Sequence, residues 1–381
     1  MPKFFFMRDL LDFLSPIALP ELDEENGYTD GQYAKHMSIF VTDFPDLSEV
    51  DIILVGVNDM RGAGIPSTTG NAAMAIRNEF YRLHYWHPDI KIADIGDVKT
   101  GSSLSDTHAA LKTVLQEMLR LGKPVVVIGG SHDLTLAQYE ACKAQHMVID
   151  ATGIDARINL RGESQIRSEN FLLDMLTSEP NMVRHYSHIA FQSYFVHPRM
   201  LETMDKLRFD CFRVGVVKEH IEEMEPVIRQ TNLLSFDVCA IKHSDAPANG
   251  ESPNGLTGEE ACTLTRYAGM STHLHSMGLY GYNPDLDVHN LTAKQMAQMI
   301  WYFVDGRSRT KSEPALAERS GFNEYHTAFA EVDTVFLQSK KTNRWWMQMP
   351  DRKFVACSYQ DYVKASMNEI PERWLRIQER N

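Results

Sequence analysis

Three short segments place metal-competent side chains directly behind apolar, strand-like runs. They are Gly129-Gly-Ser-His-Asp133, Ile154-Asp-Ala-Arg-Ile-Asn-Leu160 and Ser235-Phe-Asp-Val-Cys239. In open parallel sheets ligands bind beyond the carboxyl ends of the strands, and alternate residues of an extended segment point the same way. His132, Asp155 and Asp237 are therefore predicted to converge. One imidazole with carboxylates is a donor set for Mn, Zn or non-haem Fe. Singly each residue says little, because a strand-end histidine is more often a structural hydrogen-bonder and an aspartate there more often a cap or turn former. The joint pattern carries the weight. Arg157, Asn159 and Cys239 fall in the same segments, and Lys242 and His243 follow Cys239 closely enough to keep a reactive thiol in view.

The elements that must position these residues alternate between β-branched apolar runs and helical patterns, which predicts a mostly parallel sheet covered on both faces. Strands are expected at Asp51 to Val57, Pro124 to Gly130, Met147 to Asp155, Ile189 to Gln192, Phe212 to Val217 and Leu233 to Val238. A helix is expected from Ser105 to Leu121, capped by Ser105 or Asp106 and ended by Gly122 and Pro124. Thr257-Gly-Glu-Glu260 and Thr292-Ala-Lys-Gln295 each fit a capping box, in which N-cap and N3 side chains satisfy each other's backbone donors. From about Gly306 the pattern changes to a charged stretch, a hairpin and the aromatic cluster Asn343 to Met347. The expected organisation is one α/β domain over 1–306 with a C-terminal extension, 307–381, packed on it.

The order GG-x-H, D-A-H-x-D-L, S-x-D-x-D, GGLT and E-x-N-P is the signature set of the ureohydrolases, which include arginase, agmatinase and formimidoylglutamase. Gly129-Gly130-Ser131-His132, Asp155 to Leu160, Ser235 to Cys239, Asn254-Gly255-Leu256-Thr257 and Asn283-Pro284 follow that order. Over roughly Asp51 to Gly306 the chain resembles this family, most closely a bacterial formimidoylglutamase-like branch. The resemblance implies a three-layer α/β/α arginase-like fold. It also implies a hydroxide bridging two Mn ions that attacks an amidine or guanidino carbon, and six protein ligands. His132 matches the first histidine, and Asp155 and Asp237 match the bridging carboxylates. Arg157 stands where the family has His, Asn159 where it has Asp, Cys239 where it has Asp, and Gly281 where it has a substrate-side Glu. Sliding Asp150-Ala-Thr-Gly into the second motif puts Thr at the histidine position, so that ligand is lost on either alignment.

The departures share a direction. Arginine stays protonated and offers no lone pair, so Arg157 cannot ligate a metal and is expected to lie between Asp155 and Asp237 as an ion pair. Asn159 removes a charge, and Cys239 is a soft donor where Mn takes hard oxygen. The leading expectation is a catalytically silent ureohydrolase-fold protein with a degraded dimanganese centre, without a cofactor, retained for binding or assembly. The alternative is a C–N hydrolase of linear amidines, of formiminoglutamate or guanidino type, with one divalent metal, Zn or Mn. Its version with His132, Asp155, Asp237 and Cys239 all on Zn leaves no position for water.

Composition supports a folded chain of 381 residues, 43% hydrophobic and 23% charged. A net charge of −13 and the lack of a basic, aromatic-rich run speak against nucleic acid. Arg8, Asp9 and Asp12 interrupt the apolar start too early for a signal peptide, and no stretch reaches the roughly 18 uncharged apolar residues of a membrane span. Five scattered cysteines without CxxC fit a reduced compartment, so a cytoplasmic location is expected. No Walker A sequence or strand-to-helix G-x-G-x-x-G supports a nucleotide site. The expected partners are a small amidine or guanidino ligand and, by resemblance, further copies of the chain as a trimer or hexamer.

Overall fold

The computed structural model describes residues 10–19, 27–66 and 70–380. The first nine residues of the N-terminal segment read above lie outside these. The main sheet contains β1 (Leu14–Ser15), β2 (Ser38–Ile39), β3 (Ile52–Val57), β4 (Ile92–Val98), β5 (Val125–Ile128), β6 (Ile149–Ile154), β7 (Val183–Phe191), β8 (Asp210–Arg213), β9 (Leu233–Asp237) and β10 (Ser276–Tyr280). Their order is β1-β4-β3-β5-β10-β9-β6-β7-β8, with β2 beside β4. Every pairing is parallel except that of β1 with β4. This is the three-layer α/β fold that the alternating pattern predicts.

The central strands read as unbroken apolar runs because both faces are covered: all residues of β3, β5 and β9 are buried. Ile52, Leu54, Val126 and Ile128 join a core beneath the helices Ala72–Phe80, Gly258–Met270 and Leu291–Thr310. Their neighbours Ile53, Val55, Val125 and Val127 join the opposite core beneath Leu104–Leu121 and Thr135–Ala144. Each such side chain contributes about 1.5–3 kcal/mol when fully buried. Among the described residues no helix is long and apolar enough to cross a membrane.

Four local expectations need correction. The helix to Leu121 starts at Leu104 and is capped by Ser103, with Asp106 closing a capping box as its N3 residue. The box at Thr257 and Glu260 forms as predicted. At Thr292 none forms: the helix begins at Leu291, and the Asp287 carboxylate accepts from the backbone N–H groups of Thr292 and Ala293. The strand expected at Phe212 to Val217 ends at Arg213, and Val214–Glu219 is helical, burying Val217 while Val216 faces solvent. The strand around Ile189 is longer than read, starting at Val183.

The expected boundary at 306 falls inside the helix Leu291–Thr310. Beyond it, β11 (Phe322–Phe329), β12 (Val332–Ser339), β13 (Trp345–Gln348) and β14 (Phe354–Cys357) form a separate antiparallel sheet, followed by helices Tyr359–Ser366 and Glu372–Arg380. Trp345 stacks on both Tyr325 and Tyr362, which also touch each other, and Trp346 receives the Arg229 guanidinium 4.4 Å above its ring. Arg229 also donates to the Trp345 carbonyl at 2.8 Å, tying β13 to the main body. At the far sheet edge, Asp210 of β8 accepts from His185 (3.1 Å), Arg376 (2.9 Å) and Arg380 (2.7 Å).

Burial pushes the Asp210 carboxyl up, but His185 and Arg380 outweigh it and hold the group below the usual carboxylate range. A depressed folded value stabilises above the unfolded value near 4 and is lost as pH falls through the folded one. Asp210→Asn is expected to cost about 1–3 kcal/mol at pH 7, with the deficit shrinking below about pH 4. Urea denaturation at both pH values checks this. Equal stability of variant and parent at pH 7 would contradict it.

Candidate metal centre

The strands β5, β10, β9 and β6 are adjacent, and the predicted site residues sit at their carboxyl ends. Behind β5 the chain must turn sharply to bring His132 over the sheet. Gly129 and Gly130 make that turn at φ of 84° and 78°. A Cβ on Gly129 would lie 2.6 Å from the Val57 carbonyl, and one on Gly130 would lie 2.3 Å from Leu134. Asp155 directly follows β6 and Asp237 ends β9. Asp150 belongs to the opposite end of β6 and pairs with Arg184, so the motif residue is Asp155.

His132, Asp155 and Asp237 do converge, each offering one ligand atom within 4.8 Å of the others. His132 Nδ1 is 2.8 Å from Asp155 Oδ2 and 3.5 Å from Asp237 Oδ2. Its Nε2 is 3.1 Å from Ser235 Oγ. The oxygens of Asp155 are heavily engaged by the chain itself. Asn159 Nδ2 donates to Oδ2 at 2.7 Å, while Cys239 Sγ and the Arg157 backbone N–H donate to Oδ1 at 2.9 and 2.8 Å. Asp237 Oδ1 accepts the Cys239 backbone N–H at 2.9 Å.

Burial works against a charged His132, but the hydrogen bond to Asp155 and the nearby carboxylates raise its pKa above the ordinary value. Burial likewise opposes ionisation of Asp155, and the His132 hydrogen bond outweighs it, holding this carboxyl low. Asp237 has no such partner: burial, with Asp155 adding to it, pushes it up to about 6 against the pull of His132. Burial, reinforced by both carboxylates, raises the Cys239 thiol well above its ordinary value. Cys239 in this structure is therefore a protonated donor to Asp155.

Arg157 does not lie between Asp155 and Asp237. Its guanidinium turns outward to Glu169 at 3.3 Å and to Glu251, and it sits 5.3 Å above the Phe195 ring. Two acids outside the motif take the guanidinium, while His132 and Asn159 already satisfy Asp155 Oδ2. His243 also departs from expectation: it pairs with the Asn249 carbonyl at 2.9 Å and does not line the cleft, while Lys242 pairs with Asp245. The cleft above the sheet holds about 280 Å³. His132, Asp155, Arg157, Asn159, Asp237 and Cys239 line it, together with Glu169, Glu251 and Gly281, of which sequence reasoning missed the two glutamates. Gly281 adopts φ of 80°, and a Cβ there would meet both Asp237 carboxylate oxygens at 2.6 Å.

These features define a class: a three-layer α/β protein with a polar, metal-competent site at the carboxyl ends of a parallel sheet. The arginase family model matches residues 50–305, and the chain belongs to the arginase family. It is 24% identical over 251 residues to the formimidoylglutamase of Staphylococcus haemolyticus, covering 60% of this chain and 76% of that protein. Against the formimidoylglutamase of Vibrio cholerae it is 24% identical over 247 residues, covering 57% and 71%. The crystal structure of Trypanosoma cruzi formiminoglutamase with Mn2+2 superposes with a TM-score of 0.65 at 19% identity, covering 74% of this chain and 99% of that one. Formimidoylglutamase from Bacillus subtilis gives 0.63 at 15% identity, covering 80% and 98%.

His132, Asp155 and Asp237 fit the donor set of a divalent cation. Ser235 engages His132 Nε2, so Nδ1 faces Asp155 and Asp237 across distances that call for a proton or a metal ion between them. Among the described residues no second group of three or more His, Cys, Asp or Glu donors lies beside it, the Arg157 guanidinium is turned away, and the Cys239 thiol hydrogen-bonds to Asp155. Gly281→Ala, which forces a side chain onto Asp237 at positive φ, is expected to cost about 1–3 kcal/mol. Thermal or urea denaturation measures it, and an unchanged stability would show that residue 281 does not press on the carboxylate.

Proposed function

We propose that this chain binds a small amidinium or guanidinium ligand in the cleft without hydrolysing it by the two-metal route of the family. The observation that carries this reading is the saturation of Asp155. A bridging carboxylate needs one oxygen free for each ion, whereas Asn159 occupies Oδ2 and Cys239, with the Arg157 backbone N–H, occupies Oδ1. One divalent ion would enter by replacing the proton between His132 Nδ1 and Asp155 Oδ2, with Asp237 as third donor of the cluster whose atoms lie within 4.8 Å. Such an ion, when bound, supplies Lewis acidity and a water of lowered pKa. The protein's own residues hold and orient: Ser235 fixes the His132 ring, and Asp237, the more exposed carboxylate, faces the ligand.

The same cluster favours a second reading, hydrolysis with that single metal. One assay separates the two. Protein loaded with Mn or Zn is given formiminoglutamate, agmatine and arginine, and release of ammonia, formamide or urea is followed while guanidinium binding is measured by calorimetry. Binding without turnover is expected. Turnover abolished by Asp237→Ala would overturn the proposal in favour of the single-metal hydrolase.

The triple variant Arg157→His, Asn159→Asp, Cys239→Asp restores the family's donor types. It is expected to take up two Mn ions per chain by elemental analysis, and fewer than two would contradict the assignment of these positions.

A further inference from the structure

Two buried polar side chains of β7, Tyr186 and His188, lie behind the cleft without lining it. The register of β7 on β6 sets His188 beside Gly153, two residues before Asp155. Gly153 leaves the room that the pair fills, since a Cβ there would lie 2.3 Å from Tyr186 Oη and 3.6 Å from His188 Nδ1. Tyr186 Oη is 3.0 Å from His188 Nδ1, and His188 Nε2 is 3.1 Å from the Asp155 carbonyl oxygen. A carbonyl only accepts, so Nε2 donates its N–H in either charge state of the ring. The regular pairing of β6 with β7 ends at Ile154 and Ile189, and the next residue of β7, Ala190, turns at φ of 73°. There the Asp155 backbone N–H donates to the Ile189 carbonyl at 3.1 Å, so β7 holds both backbone polar groups of Asp155. Burying an imidazole and a phenol is costly unless both are hydrogen-bonded, and apolar side chains would fill the same space without that demand. What the pair adds over apolar packing is a fixed peptide at residue 155.

We infer that His188, steadied by Tyr186, is a positioning residue of the metal site. It fixes the Asp155 peptide, so that the carboxylate faces His132 Nδ1 across the gap that an ion would enter. Both residues act through Asp155 and touch neither ion nor ligand. The inference rests on the single-ion reading above, and it adds which buried residues that ion depends on.

Two measurements on the full chain test it: calorimetric titration with Mn or Zn ions, and the chemical shift of the His132 Nδ1 proton in the metal-free protein. His188→Leu keeps the core filled but leaves the Asp155 carbonyl without its donor. It is expected to weaken ion binding about 10-fold or more and to move the His132 proton from its parental shift. His188→Gln puts an amide N–H where Nε2 stood and is expected to bring both readings back toward the parent. Tyr186→Phe, the milder change, is expected to move both in the same direction by less, and it decides the matter if His188→Leu does not fold. Variants that lose stability while ion affinity and the His132 shift stay parental would overturn the inference and leave the pair a packing role. If the parent takes up neither ion, the single-ion reading fails by itself. The His132 shift then stands alone: moved by His188→Leu it supports the positioning of Asp155, and unmoved it overturns it.

Discussion

Asp155 is the group around which the site is organised. It is a buried carboxylate at a strand end, and such a charge is costly unless its oxygens are satisfied. Here His132, Asn159, the Cys239 thiol and the Arg157 backbone N–H all converge on it. Hydrogen-bond donors of the chain supply that compensation. Each oxygen accepts two of these donors, and losing the Asn159 amide or the Cys239 thiol would leave it with one, so the choices at 159 and 239 bear on the same group. Three departures from the family pattern therefore read as one adjustment. Asn159 and Cys239 replace acceptors with donors, and the backbone of Arg157 contributes while its side chain leaves.

The departure of that side chain gives the cleft its second character. Turned from the aspartates, the Arg157 guanidinium bridges Glu169 and Glu251 and lies over the Phe195 ring. The cleft thus pairs its arginine with two glutamates and is lined as well by the Asp155 and Asp237 carboxylates. Gly281 completes the arrangement by letting backbone approach Asp237 where a side chain would collide.

The fold and half of the site were legible because both depend on local pattern. Strand runs with buried faces on both sides announce a parallel sheet, and alternation behind three such runs brings His132, Asp155 and Asp237 together. The partners of Arg157 were not legible, because Glu169 and Glu251 lie 12 and 94 residues away, in a single 3-10 turn and a loop that no periodicity marks. The run Phe212 to Val217 misled for a related reason. Its valines carry β propensity, yet at the sheet edge the chain turns into a helix once Val217 finds the core. Around residue 103, several neighbouring hydroxyl and acid side chains could cap the helix, and only the extended backbone of Ser103 decides among them.

The central claim is that Asp155 is satisfied by its own chain and can serve one metal ion at most. The direct measurement is anomalous scattering at the manganese edge from crystals grown with Mn. The account predicts no peak, or a single peak between His132, Asp155 and Asp237, with Cys239 and Asn159 still hydrogen-bonded to Asp155 in the former case. Two peaks sharing the Asp155 carboxylate would contradict it.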